Sequence, residues 1–233
     1  MPGFVIHLLH GKCILERMRQ PFSEQNIRKF MMGVLMPDAC KGKEKERSHF
    51  IAPVSRDSIL QIPDTDAFAE TYREQLSDPF VRGYMAHLRL DQCFFEDFFQ
   101  RNVQFQTENG QQTLIPSAIR KVYLVRLQQY ISVNELFSET YLYGYYTALN
   151  RYLIDRYRLT IPEKEIFSLP VREVASENFD GILCDLQRYF SASGTVPPVP
   201  VFDRKELELF VIRQAESFLD YERKCNYSVP PKA

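Results

Sequence analysis

The chain has 233 residues, 45% of them hydrophobic and 25% charged, with 29 Lys and Arg against 30 Asp and Glu and a formal charge of −1 at pH 7. That balance suits a globular chain with one sizeable core and excludes disordered and collagen-like classes. It supplies no broad positive field for gripping duplex nucleic acid through many phosphates, although a local basic patch stays open.

Apolar residues recur at spacings of three and four rather than two, and glycine holds only 9 positions, which predicts a mainly α chain folded as a single domain over 1–233. Helices are expected near 5–19, 24–35, 66–76, 79–101, 117–131, 135–158, 176–191 and 203–223, with Ser23, Asp66, Ser117 and Asp203 as cap-like openings. In VQFQTENGQQTLIP, Asn109-Gly110 lies between short alternating segments, the pattern of a turn needing positive φ, so a small β-hairpin insertion is expected near 102–115. GKEKERS, from Gly42 to Ser48, reads as a charged surface loop, and SGTVPPVPVFD, from Ser193 to Asp203, as a Pro-rich extended connection. The closing SVPPKA is expected to fray.

No apolar run approaches the length of a membrane span, and MPGFVIHLLHGKCILERM lacks the basic region of an export signal, so a cytoplasmic protein is expected. Cys13, Cys40, Cys93, Cys184 and Cys225 are scattered without a CxxC pair, which predicts reduced thiols in packing roles rather than a disulfide framework or a thiolate zinc site.

The chain's 4 histidines, His7, His10, His49 and His87, all fall in its first ninety residues. In GYMAHLRLD, His87 and Asp91 stand four apart, on one helix face with Phe80, Tyr84, Phe94 and Phe98. A histidine and an aspartate on such an inward stripe need a partner, and two readings stay open: a divalent cation held between them, or a buried His–Asp hydrogen-bonded pair. GVLMPDA ends a helix at Pro37 and projects Asp38 from the turn; alone it is only a turn. His49 alone reads as a surface or capping residue, His7 as a core residue, and His10 as an ordinary helix-face histidine.

Taken in order, MPGFVIHLLHG, GVLMPDA, SHF and DPFVRGYMAHLRLD resemble the zinc-dependent phospholipase C family, also called the phospholipase C/D domain, over roughly the first hundred residues. The secreted zinc nucleases that cleave single strands are distant relatives. The resemblance implies a mostly helical fold around a zinc cluster at the base of a cleft. It implies His7, Asp38, His49, His87 and Asp91 as metal ligands for one or two ions, zinc or another divalent metal, with Asp91 bridging. Asp38 would also orient the attacking water. It further implies a role for the Pro2 amine as a ligand once Met1 is removed.

Two departures from the family pattern stand out. Asp97 occupies the place of a histidine six residues after the bridging aspartate, and the later helix offers no histidine at all. Asp97, Glu139, Asp180 with Cys184, and Glu216 with Asp220 fit by spacing as replacements but read more simply as solvated helix-face acids. The tyrosine-rich stretch 135–158 reads as helix packing first and as a lining for a head group or base second.

The expectation is therefore a metal-dependent hydrolase of phosphate esters, acting on a phospholipid head group or a small phosphodiester. The alternative is a non-catalytic helical binding protein that keeps a structural metal site. A third reading, a phosphohydrolase of the His-Asp dipeptide type, is weak because that dipeptide does not occur.

Overall fold

The computed structural model describes residues 3–191 and 199–225. Helix α1 (Phe4–Arg17) is buried on almost every side from Val5 to Gly11, so its two histidines lie inside the protein. Helix α2 (Glu24–Leu35), capped by the Ser23 hydroxyl on the Asn26 amide, runs into a 3-10 turn at Met36–Ala39 that carries Pro37 and Asp38. Helix α3 (Lys43–Ser48), a 3-10 turn at Pro53–Ser55 and helix α4 (Thr65–Thr71) follow.

Helix α5 (Pro79–Cys93) opens with Asp78 accepting from the Phe80 and Val81 amides and with Pro79 in the first turn, where its missing N–H costs nothing. It continues through a π-helical turn at Phe94–Phe99 into α6 (Gln100–Asn102). Phe94 and Phe98 sit there among Phe99, Phe202 and Phe210, with ring centroids 4.9–6.1 Å apart. Packing of bulky rings, rather than local propensity, accounts for the wider turn.

The tightest packing in the fold is between α2 and α5, and two glycines permit it. A Cβ on Gly33 would lie 2.0 Å from the Phe80 carbonyl oxygen, and one on Gly83 would lie 2.0 Å from that of Phe30. The two backbones therefore touch at this crossing, which sets the position of everything one turn further along α5, including His87.

Strands β1 (Val103–Gln106), β2 (Lys121–Leu124) and β3 (Gln129–Ile131) form an antiparallel sheet in the order β1-β2-β3, with Phe105 opposite Val122 and Val122 opposite Ile131. The expected turn at Asn109-Gly110 forms, with Gly110 at φ +80, but its return arm makes only the Gln106–Gln112 bridge. β2 is the main partner of β1, so the β unit reaches to residue 131. The helix expected over 117–131 is therefore corrected to two strands, and Ser117 lies in a 3-10 turn rather than at a helix start.

A short α7 (Val133–Leu136) with a Ser132–Glu135 capping box precedes α8 (Leu142–Tyr157). The single helix expected over 135–158 breaks between them, where a Cβ on Gly144 would lie 1.9 Å from the Glu139 carbonyl oxygen. Helices α9 (Asn178–Ser191) and α10 (Arg204–Lys224) complete the chain, α10 opening on Asp203 as expected. The α4 cap is Asp64 rather than Asp66.

One apolar core joins the longer helices and the strands, giving a mainly helical, single multi-helix domain with a small three-stranded β unit. α10 packs on α1 and α5 and is pinned by Glu222, which takes a two-pronged ion pair from buried Arg82 at 2.6 and 2.8 Å. The five cysteines are free thiols; Cys13 and Cys40 are buried and Cys93 half-buried, in the packing roles expected, whereas Cys184 and Cys225 are exposed and do not fill one. Among the described residues no helix is long and apolar enough to cross a membrane. The expectations for Pro2, for SVPPKA and for most of SGTVPPVPVFD lie outside the described residues.

Candidate metal centre

Four separate elements deliver the expected site residues to one place: α1 brings His7, the turn after α2 brings Asp38, the end of α3 brings His49, and α5 brings His87 and Asp91. The three histidines and Asp91 are fully buried, and the Asp38 side chain is only 6% exposed. Two overlapping triads, His7–His87–Asp91 and Asp38–His49–His87, each place one ligand atom per residue within 4.8 Å of the others.

Inside this cluster His7 Nε2 lies 3.2 Å from Asp91 Oδ1, and His49 Nε2 lies 3.3 Å from both Asp38 Oδ1 and His87 Nε2. Asp91 Oδ2 is 3.7 Å from the Nε2 atoms of His49 and His87. The His7 and His87 rings stack at 3.7 Å, and His49 meets His87 edge-on.

Backbone carbonyls decide which ring nitrogens carry protons. His87 Nδ1–H donates to the Val34 carbonyl at 2.8 Å, a contact created by the glycine crossing of α2 and α5. His49 Nδ1–H donates to the Lys45 carbonyl at 3.1 Å, one turn back along α3. A carbonyl only accepts, so both rings turn Nε2 inward, the arrangement in which an imidazole offers a lone pair to a metal. The Tyr84 hydroxyl donates to the Ser48 carbonyl and the Ser48 hydroxyl to the Pro37 carbonyl at 2.8 Å, tying α5, α3 and the Asp38 turn together.

The electrostatics point the same way. Burial, reinforced by His7, pushes the His87 imidazole down to about 3, so the ring is neutral. Burial by itself would raise the Asp38 carboxyl, but the facing His49 ring and the Lys45 ammonium outweigh it and hold the group well below the usual carboxylate range. Asp91 is likewise opposed by burial but held down by His87 and His7. Two carboxylates and inward lone pairs thus share one largely buried space. Both oxygens of Asp91 and both nitrogens of His7 lack any hydrogen-bond partner.

Such orphans are costly when buried. A cation bound among these lone pairs would satisfy them together. Ligand atoms about 2.0–2.1 Å from a tetrahedral ion stand about 3.3 Å apart, which matches the shorter separations here. The cluster is thus able to hold a divalent metal ion, and its nitrogen-rich donor set suits zinc and similar transition metals better than magnesium or calcium.

His7 is a core residue, as its apolar run suggested, and the same burial places it in the cluster; His49 caps α3, one of its two readings, but is buried rather than on the surface. GKEKERS is a helix rather than a loop: Gly42 takes φ +57 at its start, and the turn it opens aims His49 inward. His10 is not on a wet helix face. It is buried between α1 and α10, and burial, then His7, lowers its imidazole to about 3. It belongs to neither triad.

The candidate replacements stay on the surface. Asp97 pairs with Arg101 at 2.7 Å, Asp180 with Lys164 at 2.8 Å, Glu216 with Arg17 at 3.5 Å and Asp220 with Arg223, while Glu139 and Cys184 are exposed. Sequence reasoning missed Lys45, whose ammonium lies 3.0 Å from Asp38 Oδ1. It also missed Asn150 on α8, whose side-chain carbonyl is buried without a partner one turn after Tyr146, a member of the tyrosine-rich stretch whose hydroxyl is likewise buried without a partner. An i, i+4 pair of tyrosine and asparagine has no metal-ligand signature. The other tyrosines of that stretch mostly pack against the core, with Tyr143 exposed.

Comparison with family models, with curated proteins and with solved structures returns no match to this chain.

Proposed function

We propose that this protein is a metal-dependent hydrolase of phosphate esters, with zinc held by His7, Asp38, His49, His87 and Asp91. The observation that carries the metal is the buried Asp91 carboxylate, faced by three imidazoles at 3.2–3.7 Å yet without one hydrogen bond. Oδ1 faces His7 while Oδ2 faces His49 and His87, so both oxygens of this carboxylate would be available to a metal held with those imidazoles. The ordered motifs that resemble the zinc-dependent phospholipase C family support phosphate-ester chemistry.

When bound, a divalent ion of this kind lowers the pKa of a coordinated water and neutralises charge on a phosphoryl oxygen. The chain's own residues supply the rest. His87 and His49 are locked by the Val34 and Lys45 carbonyls with Nε2 inward, so no reorientation is needed when the site fills. Asp38 is the ligand nearest solvent, and its carboxylate is the group placed to orient a water at the rim. The surrounding core keeps bulk water from His7, His87 and Asp91.

The test is hydrolysis of chromogenic phosphomonoesters and phosphodiesters by zinc-loaded protein, with Asp91→Asn as control. Activity in the wild type and its loss in the variant support the proposal. Metal retained at full occupancy with no turnover of either ester class counts against a hydrolase and favours a binding protein with a structural metal site, closed to exchange.

A further inference from the structure

Lys45 stands at the edge of the cluster, beside the ligand carboxylate nearest solvent. Its Nζ is 3.0 Å from Asp38 Oδ1, the same oxygen that faces His49 Nε2 at 3.3 Å. Among the described residues it is the one Lys or Arg within ion-pair distance of either cluster carboxylate. Its side chain is 30% exposed, whereas those of His7, His49, His87 and Asp91 are at most 1% exposed. Lys45 therefore marks the wet edge of the cluster. Its own backbone is fixed, because the Lys45 carbonyl holds the His49 ring.

A positive charge beside a ligand oxygen repels the incoming cation, so this placement works against metal affinity. It works in favour of an anion that arrives after the metal. An ammonium has three donors, of which Asp38 takes one and the solvent side leaves the others free.

We propose that Lys45 is the anion-docking residue of this site: it donates to a non-bridging oxygen of a phosphate or phosphate ester that reaches the metal past Asp38. The inference rests on the metal reading above and adds to it a residue that selects for the anionic group.

The experiment titrates inorganic phosphate into zinc-loaded wild type, Lys45→Gln and Lys45→Arg by calorimetry, with metal content measured on the same samples. Lys45→Gln is expected to hold metal as well as or better than the wild type. It should nevertheless bind phosphate roughly 10- to 100-fold more weakly, the loss of one charge-assisted hydrogen bond. Lys45→Arg should recover most of that loss. Unchanged phosphate affinity in metal-loaded Lys45→Gln overturns the proposal. Joint loss of metal and phosphate also overturns it, making Lys45 a positioning residue for Asp38. A wild type that takes up no metal defeats the underlying site itself, which is a distinguishable failure.

Discussion

Replacing Gly83 by alanine tests whether the glycine crossing is what builds the site. In an unconstrained helix interior this change stabilises by about 1 kcal/mol, because alanine is the better helix former. Here the added Cβ would meet the Phe30 carbonyl oxygen at 2.0 Å and the Val34 amide nitrogen at 2.9 Å, whereas ordinary contact begins near 3.4 Å. Relief requires α2 and α5 to part by about 1.4 Å, the difference between 3.4 and 2.0 Å. A shift of that size lengthens the 2.8 Å bond from His87 Nδ1 to the Val34 carbonyl beyond hydrogen-bonding range. Overpacking and the lost bond together cost roughly 3 kcal/mol. For a chain of this length that is a fall in Tm of about 6–12 °C. Thermal denaturation followed by circular dichroism, with metal content on the same preparation, is the assay. Gly83→Ala should melt earlier and hold less metal. A variant as stable as the wild type, or more so, with full metal content would refute the reasoning.

Acid should destabilise the fold through its buried histidines. The His10 imidazole is lowered to about 3 by burial, so between about pH 6.5 and 3 the unfolded chain binds a proton that the native state refuses. The stability this group contributes is present above pH 6.5 and is lost as pH falls, at about 1.4 kcal/mol per pH unit. His10→Gln should flatten the fall in Tm measured between pH 7 and 4, and an unaltered slope would show that His10 accepts its proton in the folded state. Separately, Glu222→Ala leaves Arg82 buried without its carboxylate and should destabilise by about 3–5 kcal/mol. A change below about 1 kcal/mol in urea denaturation would mean that α10 is held by its apolar face alone.

Much of this architecture was legible because long amphipathic helices write their period plainly, and α1, α2, α5, α9 and α10 fall where the spacing put them. Residues 117–131 were misread for a physical reason. Leu124, Leu127 and Ile131 satisfy helical spacing while Val122 and Leu124 satisfy the alternation of KVYL, and the turn between β2 and β3 is closed by Gln128 at φ +50, where glycine or asparagine would have announced it. α3 was hidden because six polar residues carry no apolar period. In the site, the residue types and their order pointed to His7, Asp38, His49, His87 and Asp91. What orients them did not show, because the Val34 and Lys45 carbonyls are backbone groups common to every residue. Lys45 itself was lost in a charged run that reads as a solvated face.

The central claim is that the orphaned lone pairs around Asp91 belong to a bound cation. Its most direct test is elemental analysis of untagged protein purified without chelator, before and after incubation with zinc, alongside Asp91→Asn. The account predicts about one or two equivalents of a transition metal, zinc foremost, in the wild type, a rise in Tm on loading, and loss of both in the variant. Folded wild-type protein that stays metal-free after zinc is supplied at neutral pH would contradict it.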